Sequence, residues 1–122
     1  PRMFVLFLGL FLWISHVSSV LDIGPYRNTL LDLHNECRRE VTASNMQKMN
    51  WSSSLEKEAA TWADNCRFKH KQQGHGENLA MYTAKLSLEE LIQEGFRMWQ
   101  EEQSKFKYEQ DITMETGHYT QV

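Results

Sequence analysis

His70, His75, Glu77, Glu102 and His118 are candidate metal ligands or acid/base groups in this sequence. A neutral imidazole is a good zinc ligand, and a carboxylate can orient it or act as a base. No compact catalytic signature surrounds them. There is no His-Glu-x-x-His pair on a helix. His75-x-Glu77 echoes a fragment of zinc deaminases, but the Pro-Cys-x-x-Cys partner is missing. No Gly-x-Ser-x-Gly elbow occurs.

These residues must be positioned by the elements around them. Pro25 to about Glu40 reads as a helix, with Pro25 at its first position and Leu30, Leu33 and Cys37 at helical spacing. Residues 42–51 read as a connection. Ser53-x-x-Glu56 has the form of a capping box. Leu55, Ala59, Trp62 and Cys66 follow as one apolar stripe, and four residues further on the stripe reaches His70. Ser87-x-x-Glu90 is a second capping box. Leu88, Leu91, Ile92, Phe96 and Trp99 form the buried face that follows it, and three more residues reach Glu102.

Two apolar faces thus end in an ionisable residue. Charge near a buried face is costly unless paired or hydrated. Either the two ends meet in a polar cavity, or each side chain emerges at its helix end into water. Between them, Gly74 and Gly76 let the backbone turn tightly around His75. Residues His118 to Val122 hold Tyr, Thr and Val and read as the start of a strand, with His118, Thr120 and Val122 on one face. Cys66 sits on an apolar stripe, which suits a structural cysteine better than a nucleophile.

Composition narrows the class. Phe4 to Ile14 is eleven residues without charge. As a helix it is too short for a hydrocarbon core that needs roughly 20 residues. It suits a secretory signal spanning residues 1–19, with cleavage after Ser19 and one domain over 20–122. Pro1 and Arg2 precede a candidate start at Met3. No membrane span is expected after cleavage. The net charge of −3 offers no basic surface for nucleic acid. Secretion permits disulfides, but spacing alone does not pair Cys37 with Cys66. Asn50-Trp51-Ser52 is a candidate N-glycosylation site at Asn50. Met46 and Met49, beside Trp51, suit core packing or a lipid site.

Five ordered blocks now resemble the CAP family (cysteine-rich secretory proteins, antigen 5, pathogenesis-related 1). They are His34-Asn35 with Arg38; Asn45-Met46-Gln47-Lys48-Met49-Asn50-Trp51; Trp62-Ala63-Asp64-Asn65-Cys66 with His70 and then Gly76-Glu77-Asn78-Leu79; Trp99-Gln100-Glu101-Glu102; and Gly117-His118-Tyr119-Thr120-Gln121-Val122. The resemblance implies an α+β fold, an α-β-α sandwich, here incomplete at the C-terminus. It implies a cleft of two His and two Glu, which are His70, Glu77, Glu102 and His118. His75 has no counterpart in that set. The two His would bind a divalent cation such as zinc, weakly, with Glu77 and Glu102 behind them. No cofactor is required. The resemblance also implies that Cys66 pairs with a cysteine beyond Val122.

The family reading favours a secreted, extracellular protein that acts without enzymatic turnover, by binding an extracellular protein, a sterol or lipid, or a divalent metal. Met46, Met49, Phe106 and Tyr108 are candidate lipid contacts. The alternative is a metal-dependent hydrolase, a protease, in which Glu77 or Glu102 activates a metal-bound water.

Overall fold

The computed structural model describes residues 22–71, 74–83 and 85–122. The expected signal segment lies outside them. A 3₁₀ turn at Gly24–Tyr26 leads into α1 (Arg27–Glu40), followed by α2 (Ser53–Ala63) and α3 (Leu88–Glu101). A second 3₁₀ turn, Glu102–Lys105, continues α3, and a short α4 (Gly117–Gln121) follows later in the chain. Among the described residues no helix is long and apolar enough to cross a membrane.

The helix starts follow their local chemistry. Pro25 falls in the 3₁₀ turn, one step before the α-helix proper. At α3 the capping box forms as expected. Ser87 Oγ accepts from the Glu90 amide at 3.3 Å, and Glu90 accepts from the Ser87 amide at 2.8 Å. At α2 the expected box does not form. Ser52, one residue earlier, is the cap and accepts from the Leu55 amide at 3.4 Å. Glu56 is thereby shifted off the reciprocal position, and it turns instead to Arg27 and Trp51. Arg27 grips its carboxylate at 2.8 and 2.6 Å, and Trp51 Nε1 donates to it at 2.7 Å.

The Glu56 cluster ties α1, the connection and α2 together, and it sets a pH dependence. Foremost the Arg27 bond, then the Trp51 bond, holds the Glu56 carboxyl below its ordinary value of 4.5. A carboxyl depressed in the folded state stabilises the protein above its unfolded pKa, and that contribution is lost as pH falls through the folded value. Stability is therefore expected to fall on acidification below pH 4.5. Urea titrations at several pH values should show a shallower fall for Glu56→Gln than for the wild type; equal slopes would remove Glu56 from the account.

The core lies where α1, α3 and α4 meet. Cys37, Phe96 and Val122 are buried there, with Leu33, Trp99 and Tyr119 packed against them. Burial of Phe96 contributes about 2 kcal/mol. Gly95 matters to this packing, because a Cβ there would press on Ala80 Cβ at 3.3 Å. The absent side chain lets α3 approach residues 79–80 closely.

Two expectations need correction. No strand occurs among the described residues, so the structure is helical and not an α-β-α sandwich. Residues 117–121 form α4 instead of the expected strand. A strand must place its N–H and C=O groups on a neighbour. Here the segment satisfies them locally, through Thr120 N–H to Thr116 O at 3.1 Å and Val122 N–H to His118 O at 3.2 Å. Thr120 Oγ1 also donates to Thr116 O at 3.0 Å. Tyr, Thr and Val favour strands only where a neighbour offers cross-strand contacts.

Candidate functional site

His70 does not lie on an extended α2. The helix ends at Ala63, and the chain turns through Cys66, whose φ of 50° is left-handed. Cys66 is consequently exposed and unpaired, not part of an apolar stripe. The turn is closed by Cys66 N–H to Ala63 O at 2.9 Å. Trp62 Nε1 then donates to Lys69 O at 2.8 Å, which holds the returning chain. His70 comes next, and its Nδ1 lies 3.0 Å from Glu77 Oε2. The same oxygen accepts from the Lys71 amide at 2.8 Å.

Glu102 follows directly on α3, as its spacing predicted. Its Oε1 lies 2.7 Å from His118 Nδ1. Its Oε2 accepts from the backbone amides of His118 and Tyr119 at 2.9 and 3.1 Å. One carboxylate therefore orients an imidazole and holds the backbone of its own segment. Trp99, one turn earlier on α3, stacks on the His118 ring with centroids 6.2 Å apart and planes 13° from parallel.

The four residues form two carboxylate–imidazole pairs, joined by consecutive residues. Glu77 holds His70, while Asn78 Nδ2 donates to His118 O at 2.9 Å. Gly76 sits under the Gln121 side chain of α4, where a Cβ would collide with the amide group. That group is the flexible end of an exposed side chain, so it can move aside.

A carboxylate only accepts hydrogen bonds, so each neutral imidazole carries its proton on Nδ1. The lone pair is then on Nε2. This is the arrangement of metal-ligating histidines, in which the far nitrogen is fixed by a carboxylate. Each ring thus offers Nε2 as a ligand atom of the type that zinc accepts. Among the described residues no three His, Cys, Asp or Glu side chains gather into one cage. Two imidazoles would leave the remaining positions to water.

His75 stands apart from these pairs. It borders an open cavity of about 250 Å³ that has Leu55, Ala59 and Trp62 of α2 on one wall and Lys71 and Glu77 nearby. The α2 stripe thus faces this cavity, not the core. Leu55 accordingly remains 45% exposed. Asn50 lies exposed in the connection, with Ser52 of its sequon capping α2. Met46 and Met49 are on the surface of the same connection. Phe106 packs against Tyr108 and Tyr119, at 5.4 and 5.8 Å between ring centroids.

Sequence reasoning singled out all four paired residues, but it read Trp99 only as part of a buried helix face and gave Asn78 no role in the site. Trp99 had a usable signal, since it lies three residues before Glu102 on the same helical face. Asn78 had none beyond its place next to Glu77.

Comparison with known proteins agrees with the ordered blocks. Residues 31–122 match the cysteine-rich secretory protein family, CAP. The chain is 34% identical over 97 residues to salivary antigen-5 of Triatoma infestans. That alignment covers 70% of this chain and 40% of the relative, so the match spans less than half of that protein. No solved structure gives a significant match.

Proposed function

The chain belongs to the CAP family of cysteine-rich secretory proteins, and on that premise we propose that it is a secreted protein that acts by binding, with a divalent cation such as zinc held by His70 and His118. The observation that carries this reading is the pairing of both imidazoles, through Nδ1, with Glu77 and Glu102. Each carboxylate fixes the orientation and tautomer of its ring, which leaves the Nε2 lone pair for a ligand. When bound, the cation would supply a fixed positive charge held by His70 and His118. The protein's own residues bind and orient it. With two protein ligands the affinity is modest.

The same geometry disfavours Glu102 as the base of a hydrolase. A base that activates water needs an accepting oxygen to spare. Both oxygens of Glu102 are occupied by His118 and two backbone amides. Glu77 meets His70 and the Lys71 amide through Oε2 alone, so a hydrolase would have to use this residue.

Zinc titration of the full-length protein by calorimetry tests the proposal. The wild type should bind one ion saturably, and the His70→Ala/His118→Ala variant should show no saturable binding. Unchanged affinity in the double variant would sink the assignment.

A further inference from the structure

The two imidazoles are not held alike. The His70 side chain is 54% exposed and is fixed by Glu77. The His118 side chain is 30% exposed and is fixed twice, by Glu102 at Nδ1 and by the Trp99 indole alongside it. A single hydrogen bond at Nδ1 leaves an imidazole free to rock about that bond. A near-parallel aromatic ring alongside restricts this freedom, and the observed centroid distance lies within the offset-stacked range of about 4.5–7 Å.

The indole is itself held in place. Trp99 Nε1 donates to Leu79 O at 3.2 Å. Its ring packs against the core formed by Cys37, Phe96 and Val122. The close approach of α3 at Gly95 to Ala80 brings residues 79–80 within its reach. Trp99 is thus more firmly anchored than a ring that merely covers a surface histidine.

We infer that Trp99 is the positioning residue for His118: it fixes the plane of the imidazole, as Glu102 fixes its rotation, so that Nε2 is held in one direction for a cation. The inference rests on the cation-binding reading of His118. It makes His118 the preorganised anchor of the pair and His70 the ligand that adjusts to it. Residues that orient a metal ligand typically change affinity by about 10–100-fold when lost.

The test combines zinc calorimetry with proton NMR of the His118 ring in metal-free protein at one fixed pH. Trp99→Leu should weaken zinc binding about tenfold, whereas Trp99→Phe, which keeps an aromatic face, should stay within about threefold of wild type. In the wild type NOEs should connect the His118 ring protons with the Trp99 indole protons, which lie side by side. Wild-type zinc affinity in Trp99→Leu overturns the inference. So does the absence of NOEs between the His118 ring and the Trp99 indole in the wild type, a result that needs no variant to fold. A wild type that binds no zinc overturns the cation reading instead, and the NOEs then decide the positioning of His118 alone.

Discussion

Glu102→Ala is expected to destabilise the protein by about 3 kcal/mol and to free α4 from the end of α3. Its carboxylate accepts three hydrogen bonds, from the His118 ring, the His118 amide and the Tyr119 amide. Bonds to a charged acceptor contribute about 1.5–3 kcal/mol each, but bonds that share one group do not add. Glu102 is also largely covered, with its side chain 17% exposed. Water therefore replaces it poorly. Glu102→Gln keeps an accepting oxygen but turns an NH₂ group toward one set of donors, so it should lose roughly half as much. Urea unfolding measures the stability. Hydrogen exchange at the amides of His118 and Tyr119 shows whether the loss is local. Wild-type stability in Glu102→Ala would mean that these three bonds are replaced by water without cost.

Asn35→Ala should cost about 2 kcal/mol. Asn35 is 3% exposed and lies on α1 facing the connection to α2. Its Nδ2 donates to Met49 O at 3.1 Å, and its Oδ1 accepts from the Met49 amide at 2.8 Å. A side-chain amide presents a donor and an acceptor side by side, which is what the two backbone groups of one residue require. Arg38, three residues on, donates to Gln47 O at 2.8 Å and to Val122 O at 3.0 Å. The pair pins an irregular segment that has few backbone bonds of its own. Asn35→Asp should be as damaging as alanine, because it sets an acceptor against the Met49 carbonyl. If Asn35→Asp proves as stable as wild type, the clamp does not hold the connection. Trp51, just beyond the clamp, carries the constraint on to α2 through its bond to Glu56.

The helices were legible because their signals are local. The Ser87 box and the apolar face of α3 need only neighbours three or four residues away, and they led directly to Glu102. The α2 stripe was legible as a pattern but misjudged in its extent. Nothing in its spacing marks the stop at Ala63, where the chain leaves the helix through a left-handed Cys66. His70 still reaches the site, by a returning segment that Trp62 holds in place, and not by continuing the stripe. The end of the chain was misread for a different reason. Alternation at His118, Thr120 and Val122 suits a strand, but strand formation depends on a partner that periodicity cannot supply. Glu102 decides the matter from fifteen or more residues away by accepting the first amides of α4. The pairing of His70 with Glu77 and of His118 with Glu102 lay beyond local pattern altogether. Family resemblance brought those four residues together; only the geometry shows which carboxylate serves which ring.

The coordination shell of the bound ion tests the central claim most directly. Zinc-edge X-ray absorption on the zinc-loaded full-length protein should show two imidazole nitrogens and additional oxygens at about 2.0–2.1 Å, with the imidazole signal lost in the His70→Ala/His118→Ala variant. A shell of sulfur at about 2.3 Å, placing the ion on a cysteine, or a shell without imidazole would contradict it.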